Sequence, residues 1–317
     1  MPIQIQGYPS YPIINSNLTP TQPGGLIAGQ KVLLAFANTA FQLINYSNPA
    51  LLPIVSGNFY CSATGSDVTG DGSQSNPWRD IPHAVSVVAN NIALSQVTIN
   101  CGPGNYTGIQ MPDSFIASWL FQGSGVNNCN LASAPNQISR GRALVSVDDE
   151  ITIDGFRVSS EYEGLATNRS SGTMIILNVD FTMPTTAGYS PISAHYGEIL
   201  ILGTCNFFAA TGGGVPAAFI EADSGAKIIV GRHDNYTNNP VTLNFGNVDA
   251  TANFIAEENG TISLAVPPTV TFVGGTTNPK YECTYGGGIA AGGTVIPGTP
   301  GDITGGGGPG AAGWYRA

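Results

Sequence analysis

Short apolar alternations separated by tight polar turns run through most of the chain. LVSVDDEITIDGFRV from Leu144, PISAHYGEILILGTCNF from Pro191, FIEADSGAKIIVGRHDNY from Phe219 and FIAEENGTISLAV from Phe254 share one pattern. Each reads as a short strand, a turn containing Gly or Asp, and a second strand with apolar residues at alternate positions. SSGTMIILNVDF fits as a shorter copy. Period two is strand chemistry, because successive side chains leave a strand on opposite faces. Taking Ile151, Ile175, Ile199, Ile228 and Ile262 as equivalent gives steps of 24, 24, 29 and 34 residues. That is a solenoid period, with the longer steps absorbed by loops at one corner of a coil. A β-sandwich would place its strands about 8 to 12 residues apart without this self-similarity. The predicted fold is all-β, a parallel β-helix whose coils stack strand on strand.

A solenoid leaves an open end that needs covering. RDIPHAVSVVANNIAL supplies a short capping helix, with Ala84, Val85, Val88 and Ile92 on one apolar face. VTINCGPGNYTG, from Val97, then begins the coil proper. The stretch before the helix, NFYCSATGSDVTGDGSQSNPW, raises the question of a metal loop. Asp67, Thr69, Asp71 and Gly72 match the start of an EF-hand, but the twelfth position holds Trp78 where a bidentate Glu belongs. The loop therefore reads as a Gly/Asp turn joining a strand to the helix. Residues 1–24 are rich in Pro, Asn and Tyr without periodicity, and the short apolar runs that follow suggest an arm or a small β-rich module. The expected organisation is 1–56 an N-terminal attachment arm or module, 57–96 the β-helix opening and capping helix, 97–275 the β-helix, and 276–317 a Gly-rich C-terminal tail.

Composition narrows the partners. Charged residues make up 9%, and ten Lys plus Arg against twenty Asp plus Glu give a net charge of −10. A phosphate-backbone binder needs a basic footprint, so nucleic acid is not expected. The same balance disfavours an anionic membrane surface, and no apolar run approaches the roughly 18 residues of a spanning segment. The N-terminus lacks a basic start and apolar stretch, which predicts synthesis and folding in a cytosol. Five scattered cysteines without a C-x-x-C pair predict no metal cluster. They read as buried thiols or, alternatively, as links between copies.

NFYCSATGSDVTGDGSQSNPWRDIPHAVSVV followed by VTINCGPGNYTG resembles the opening of pectate-lyase-like right-handed β-helix proteins, in particular those of bacteriophage tail spikes, tail fibres and prophage-encoded relatives. TFVGGTTNPKYECTYGGGIAAGGTVIPGTPGDITGGGGPGAAGWYRA is similar to the end of many such chains. The resemblance covers about residues 57–317. It implies a right-handed coil, a homotrimer, and attachment of residues 1–56 to a tail, baseplate or collar protein of a virion made in the bacterial cytoplasm. The leading expectation is a structural and adhesive tail fibre or spike presenting its β-helix to a host surface. The alternatives are a tailspike depolymerase, hydrolase or lyase, and a purely architectural collar or neck fibre.

Cleavage of a polysaccharide by hydrolysis needs two carboxylates about 5 to 9.5 Å apart. Elimination needs a base with a cation or Arg. Neighbouring coils lie about 4.8 Å apart, so carboxylates at equivalent positions can meet. Glu221, Asp223, Glu257 and Glu258 lie in equivalent parts of successive repeats and are the candidate catalytic residues. Asp148, Asp149, Glu150, Glu161 and Glu163 are further acidic positions. Turn carboxylates equally serve backbone amides or solubility, and that alternative stays open. Among the histidines, His83 is expected to pack in the capping helix, while His195 and His233 sit at turns. Arg232, His233 and Asp234 adjoin, but neighbours in a strand face opposite ways. Tyr196 and Tyr236, with Tyr162 and Tyr189, are candidate sugar-stacking rings or packing residues between protomers. No cofactor and no metal site is expected.

Overall fold

The computed structural model describes residues 56–91, 96–109, 111, 118–133, 138–140, 150–167, 172–231, 240–264, 270–303 and 314–316, together with four short strands within the first 43 residues. The described chain is mostly β, and its main body is three parallel sheets. The first has ten strands, from Ser56–Cys61 at one edge to Trp314–Arg316 at the other. The second runs from Gly104–Thr107 to Val270–Gly274 and the third from Ile138–Arg140 to Asp302–Ile303, with seven strands each. Between Ser118 and Cys283 the chain visits first, second and third sheet in that order six times running. Each visit places a strand beside its equivalent from the previous pass, an arrangement compatible with a parallel β-helix.

Register explains the core. Val97, Trp119, Ile151, Met174, Ile199, Ile228, Ile262 and Ile289 are successive in-register partners in the first sheet, and all are buried. Phe181 and Phe207 stack between coils at 5.4 Å, and Phe219 stacks on Phe245 at 4.4 Å. Each such side chain contributes roughly 1.5–3 kcal/mol by leaving water. The expected alignment through Ile175 is corrected by one residue. Ile151 pairs with Met174, so those two steps are 23 and 25, while Ile175 partners Thr152 and Leu200. A slip of one turns a side chain to the opposite face. Ile175, Leu200, Leu202 and Ile229 form a separate buried cluster, so both faces of this strand are apolar and apolarity could not fix the register.

The capping helix is Ile81–Asn91. Ile81, Ala84, Val85 and Val88 are buried in the same core as Val97 and Ile99, whereas Ile92 lies outside the described residues. The loop before it uses its carboxylates on backbone amides. Asp67 Oδ1 accepts from the N–H groups of Arg79 at 2.8 Å and Asp80 at 3.1 Å, and Asp71 Oδ1 accepts from Ser73 N–H. Trp78 is buried beneath Gly72, whose φ is +77°, and a Cβ there would lie 2.5 Å from the indole ring. Strands continue beyond residue 275, at Tyr281–Cys283, Gly288–Ala290, Asp302–Ile303 and Trp314–Arg316, within the same sheets. Pro2–Ile3, Tyr11–Ile14, Ala40–Leu43 and Leu34–Ala37 form a separate four-stranded sheet. No helix of the described residues is long and apolar enough to cross a membrane. All five cysteines are free thiols exposed by 3% or less.

Candidate active site on the third sheet

The third sheet turns into the first through a stack of four-residue turns. Asp223 O accepts from Ala226 N–H, Glu257 O from Gly260 N–H and Thr284 O from Gly287 N–H, at 2.7–2.8 Å. The central pairs Ser224–Gly225, Glu258–Asn259 and Tyr285–Gly286 all have positive φ, the geometry of type I′ turns. Amide bonds tie one turn to the next, Gly225 N–H to Glu258 O and Asn259 N–H to Tyr285 O.

This stacking fixes which side chains meet. Ala194, Ala222, Ala256 and Cys283 are register partners that face the core. The residues one step on, His195, Asp223, Glu257 and Thr284, therefore form a row on the outer face, beside Ser193, Glu221, Ile255 and Glu282 two residues earlier. Glu221, Asp223 and Glu257 each place a carboxylate oxygen within 4.8 Å of the other two. Glu258 is not in this group. It occupies the exposed turn and accepts a hydrogen bond from Ser224 Oγ at 3.0 Å.

His195 organises one side of the cluster. Its Nδ1 bonds Asp223 Oδ2 at 2.7 Å, and its Nε2 bonds Glu163 Oε1. Asp223 and then Glu163 raise the imidazole to about 10 against the cost of burial, so it is a cation at neutral pH and donates from both nitrogens. Two oxygens here remain buried without a partner, Asp223 Oδ1 and Glu163 Oε2. Burial lifts Glu221 to about 7, opposed by a hydrogen bond from Ser190, with repulsion from Glu257 and Asp223 adding to the rise. Burial likewise raises Glu257, whose Oε2 accepts from Thr284 Oγ1 at 3.2 Å; Asp223, Glu258 and Glu282 push it further. One carboxyl poised near neutrality beside a second carboxylate is the arrangement of an acid and its partner. Three carboxylate oxygens at this spacing also suit a hard divalent cation.

The structure thus brings together Glu221, Asp223 and Glu257 from the expected candidates. Glu163 joins them through His195, while Glu161 is exposed. Asp148, Asp149, Arg232, His233, Asp234 and Tyr236 lie outside the described residues. Tyr196, beside His195, is 48% exposed, whereas Tyr162 and Tyr189 pack edge to face at 5.0 Å. His83 meets Trp78 edge-on at 6.0 Å, a packing contact. Sequence reasoning missed His195. The signal was available: laying SAHYG, EADSG, IAEEN and ECTYG over one another puts His195, Asp223, Glu257 and Thr284 in one column. Comparison with protein-family models, with curated proteins and with solved structures returns no match.

Proposed function

We propose that this chain is a right-handed parallel β-helix that binds a cell-surface polysaccharide and hydrolyses it on the outer face of its third sheet. The observation that carries the reading is the approach within 4.8 Å of Glu221, raised to about 7, and Asp223, whose Oδ2 is held by His195. Glu221 is the general acid and gives its proton to the glycosidic oxygen as the bond to the anomeric carbon breaks. The Asp223 carboxylate forms a bond to that carbon on the opposite side. Glu221, now a carboxylate, takes a proton from water, whose oxygen displaces Asp223 and restores both groups. Oxygens that approach within 4.8 Å leave no room for the intervening water of an inverting pair, whose carboxyl groups stand roughly 6.5–9.5 Å apart, and so favour the covalent route with retention of configuration. Glu257 lies within reach of a substrate hydroxyl.

The setting is proposed from the sequence resemblance: a homotrimeric bacteriophage tail spike, attached through residues 1–56. Exposed Tyr196 and Tyr285 favour a second reading in the same setting, an adhesin that holds the glycan without cutting it.

Purified protein is incubated with surface polysaccharide of the host, and new reducing ends and unsaturated ends are counted separately. Reducing ends that vanish with Glu221→Gln support hydrolysis. Unsaturated ends indicate elimination instead. Retention on cells without any release leaves the adhesin, and the absence of both rejects the glycan reading in favour of an architectural part.

A further inference from the structure

Given a glycan on this face, the charge of the face restricts which glycan it is. The outer column of the third sheet and the turns beyond it carry Glu221, Asp223, Glu257, Glu258 and Glu282, with Glu163 behind them. Among the described residues the cation bonded to them is His195, and both its nitrogens are already taken by Asp223 and Glu163; Lys280 stands two residues before Glu282, at the margin of the stretch. Lys227, across the same turn, pairs with Glu198 at 3.1 Å. No ion pair of the described residues joins a Lys or Arg to Glu221, Glu257, Glu258 or Glu282.

The rims of the acidic stretch are aromatic. Tyr196 follows His195 and Tyr285 follows Thr284, so the two rings border the two ends of the row His195, Asp223, Glu257 and Thr284, with Tyr285 alone in a four-residue turn at positive φ. Three coil steps separate them, about 14 Å at the usual strand spacing. They are 48% and 53% exposed. A ring face takes up a sugar ring through apolar contact and tolerates many substituents, so the rings supply affinity. The carboxylates between them supply selection, because an anion placed there meets uncompensated like charge.

We propose that the glycan segment bound between Tyr196 and Tyr285 is uncharged or amine-bearing, and carries no uronate, sialate, phosphate or sulfate group. Its hydroxyl and ammonium donors match a surface rich in acceptors.

The test is a glycan array carrying neutral, amine-bearing and acidic glycans, probed with the labelled full chain. Binding is expected on the first two classes, stronger by roughly tenfold or more than on acidic glycans sharing the same backbone. The signal falls with Tyr285→Ala and with Asp223→Asn, which ties it to this face. The double variant Glu258→Lys, Glu282→Lys, built on rim positions outside the proposed acid pair, gains acidic glycans. Equal or stronger binding of acidic glycans by the unaltered chain overturns the charge class while leaving the glycan reading standing. A folded chain that binds nothing on the array overturns both.

Discussion

Burial that raises Glu221 also makes the fold depend on pH. A carboxyl with a raised folded pKa holds its proton more tightly folded than unfolded. Its contribution is therefore present in full below about 4.5 and is lost as pH rises through about 7. Glu221→Gln cannot ionise, so above pH 7 it should be the more stable form by roughly 2–4 kcal/mol, with little difference at pH 4. Urea midpoints followed by circular dichroism across that range check this; an equal shift at every pH would refute it. His195 acts in the same direction at higher pH. Its raised folded pKa contributes fully below about 6.5, and that contribution disappears as pH rises through about 10. His195→Gln should thus flatten the alkaline part of the curve. Tyr285 presents a different conflict, because a bulky residue at φ +48° is strained. Tyr285→Asn should raise the melting temperature, gaining on the order of 1 kcal/mol, while glycan retention falls. A rise in both would remove Tyr285 from the binding surface.

At the scale of elements, turn chemistry was legible and register was not. Gly, Asp and Asn at the repeat corners announced tight turns, and the structure makes them type I′ turns whose first residues line the site. That is why Glu221, Asp223 and Glu257 could be picked out together. His195 escaped because it was weighed as one histidine, not as the member of a column that Asp223 and Glu257 continue. The Ile175 slip has a physical origin as well. TMII is apolar on both faces, so alternation carries no sign, and only the pairing of Met174 with Ile151 and Ile199 decides. The loop at 62–78 was legible through one missing ligand, Trp78 in place of Glu. Its carboxylates hold amides, and Asp67→Ala, which frees the N–H groups of Arg79 and Asp80, should cost about 1 kcal/mol. Added calcium should leave the melting temperature of that variant and of the parent unchanged. A calcium-dependent rise confined to the parent would reinstate the loop as a metal site.

At the scale of the whole molecule, each strand of the described parallel sheets pairs with its equivalents from the passes before and after, so stability is close to a sum of nearest-neighbour terms with two exposed ends. The helix Ile81–Asn91 shares the core of Val97, Ile99 and Cys101 at the end where Ser56–Cys61 is the edge strand. Removing its apolar face leaves the remaining coils paired as before but opens a core edge to solvent. Val85→Asp with Val88→Asp is therefore expected to weaken the first rungs and to promote association, while the site some five coils away keeps its geometry. Hydrogen exchange separates these effects. Amides of strands Ser56–Cys61 and Gln96–Cys101 should lose most of their protection, and those of Ile220–Ala222 and Phe254–Ala256 should retain it. Uniform loss across all coils would mean that the molecule unfolds as one cooperative unit and that the helix stabilises the site as much as the end it covers. The graded result would place the carboxylate cluster on strands insulated from the helix, so that the covered end and the cluster can vary independently.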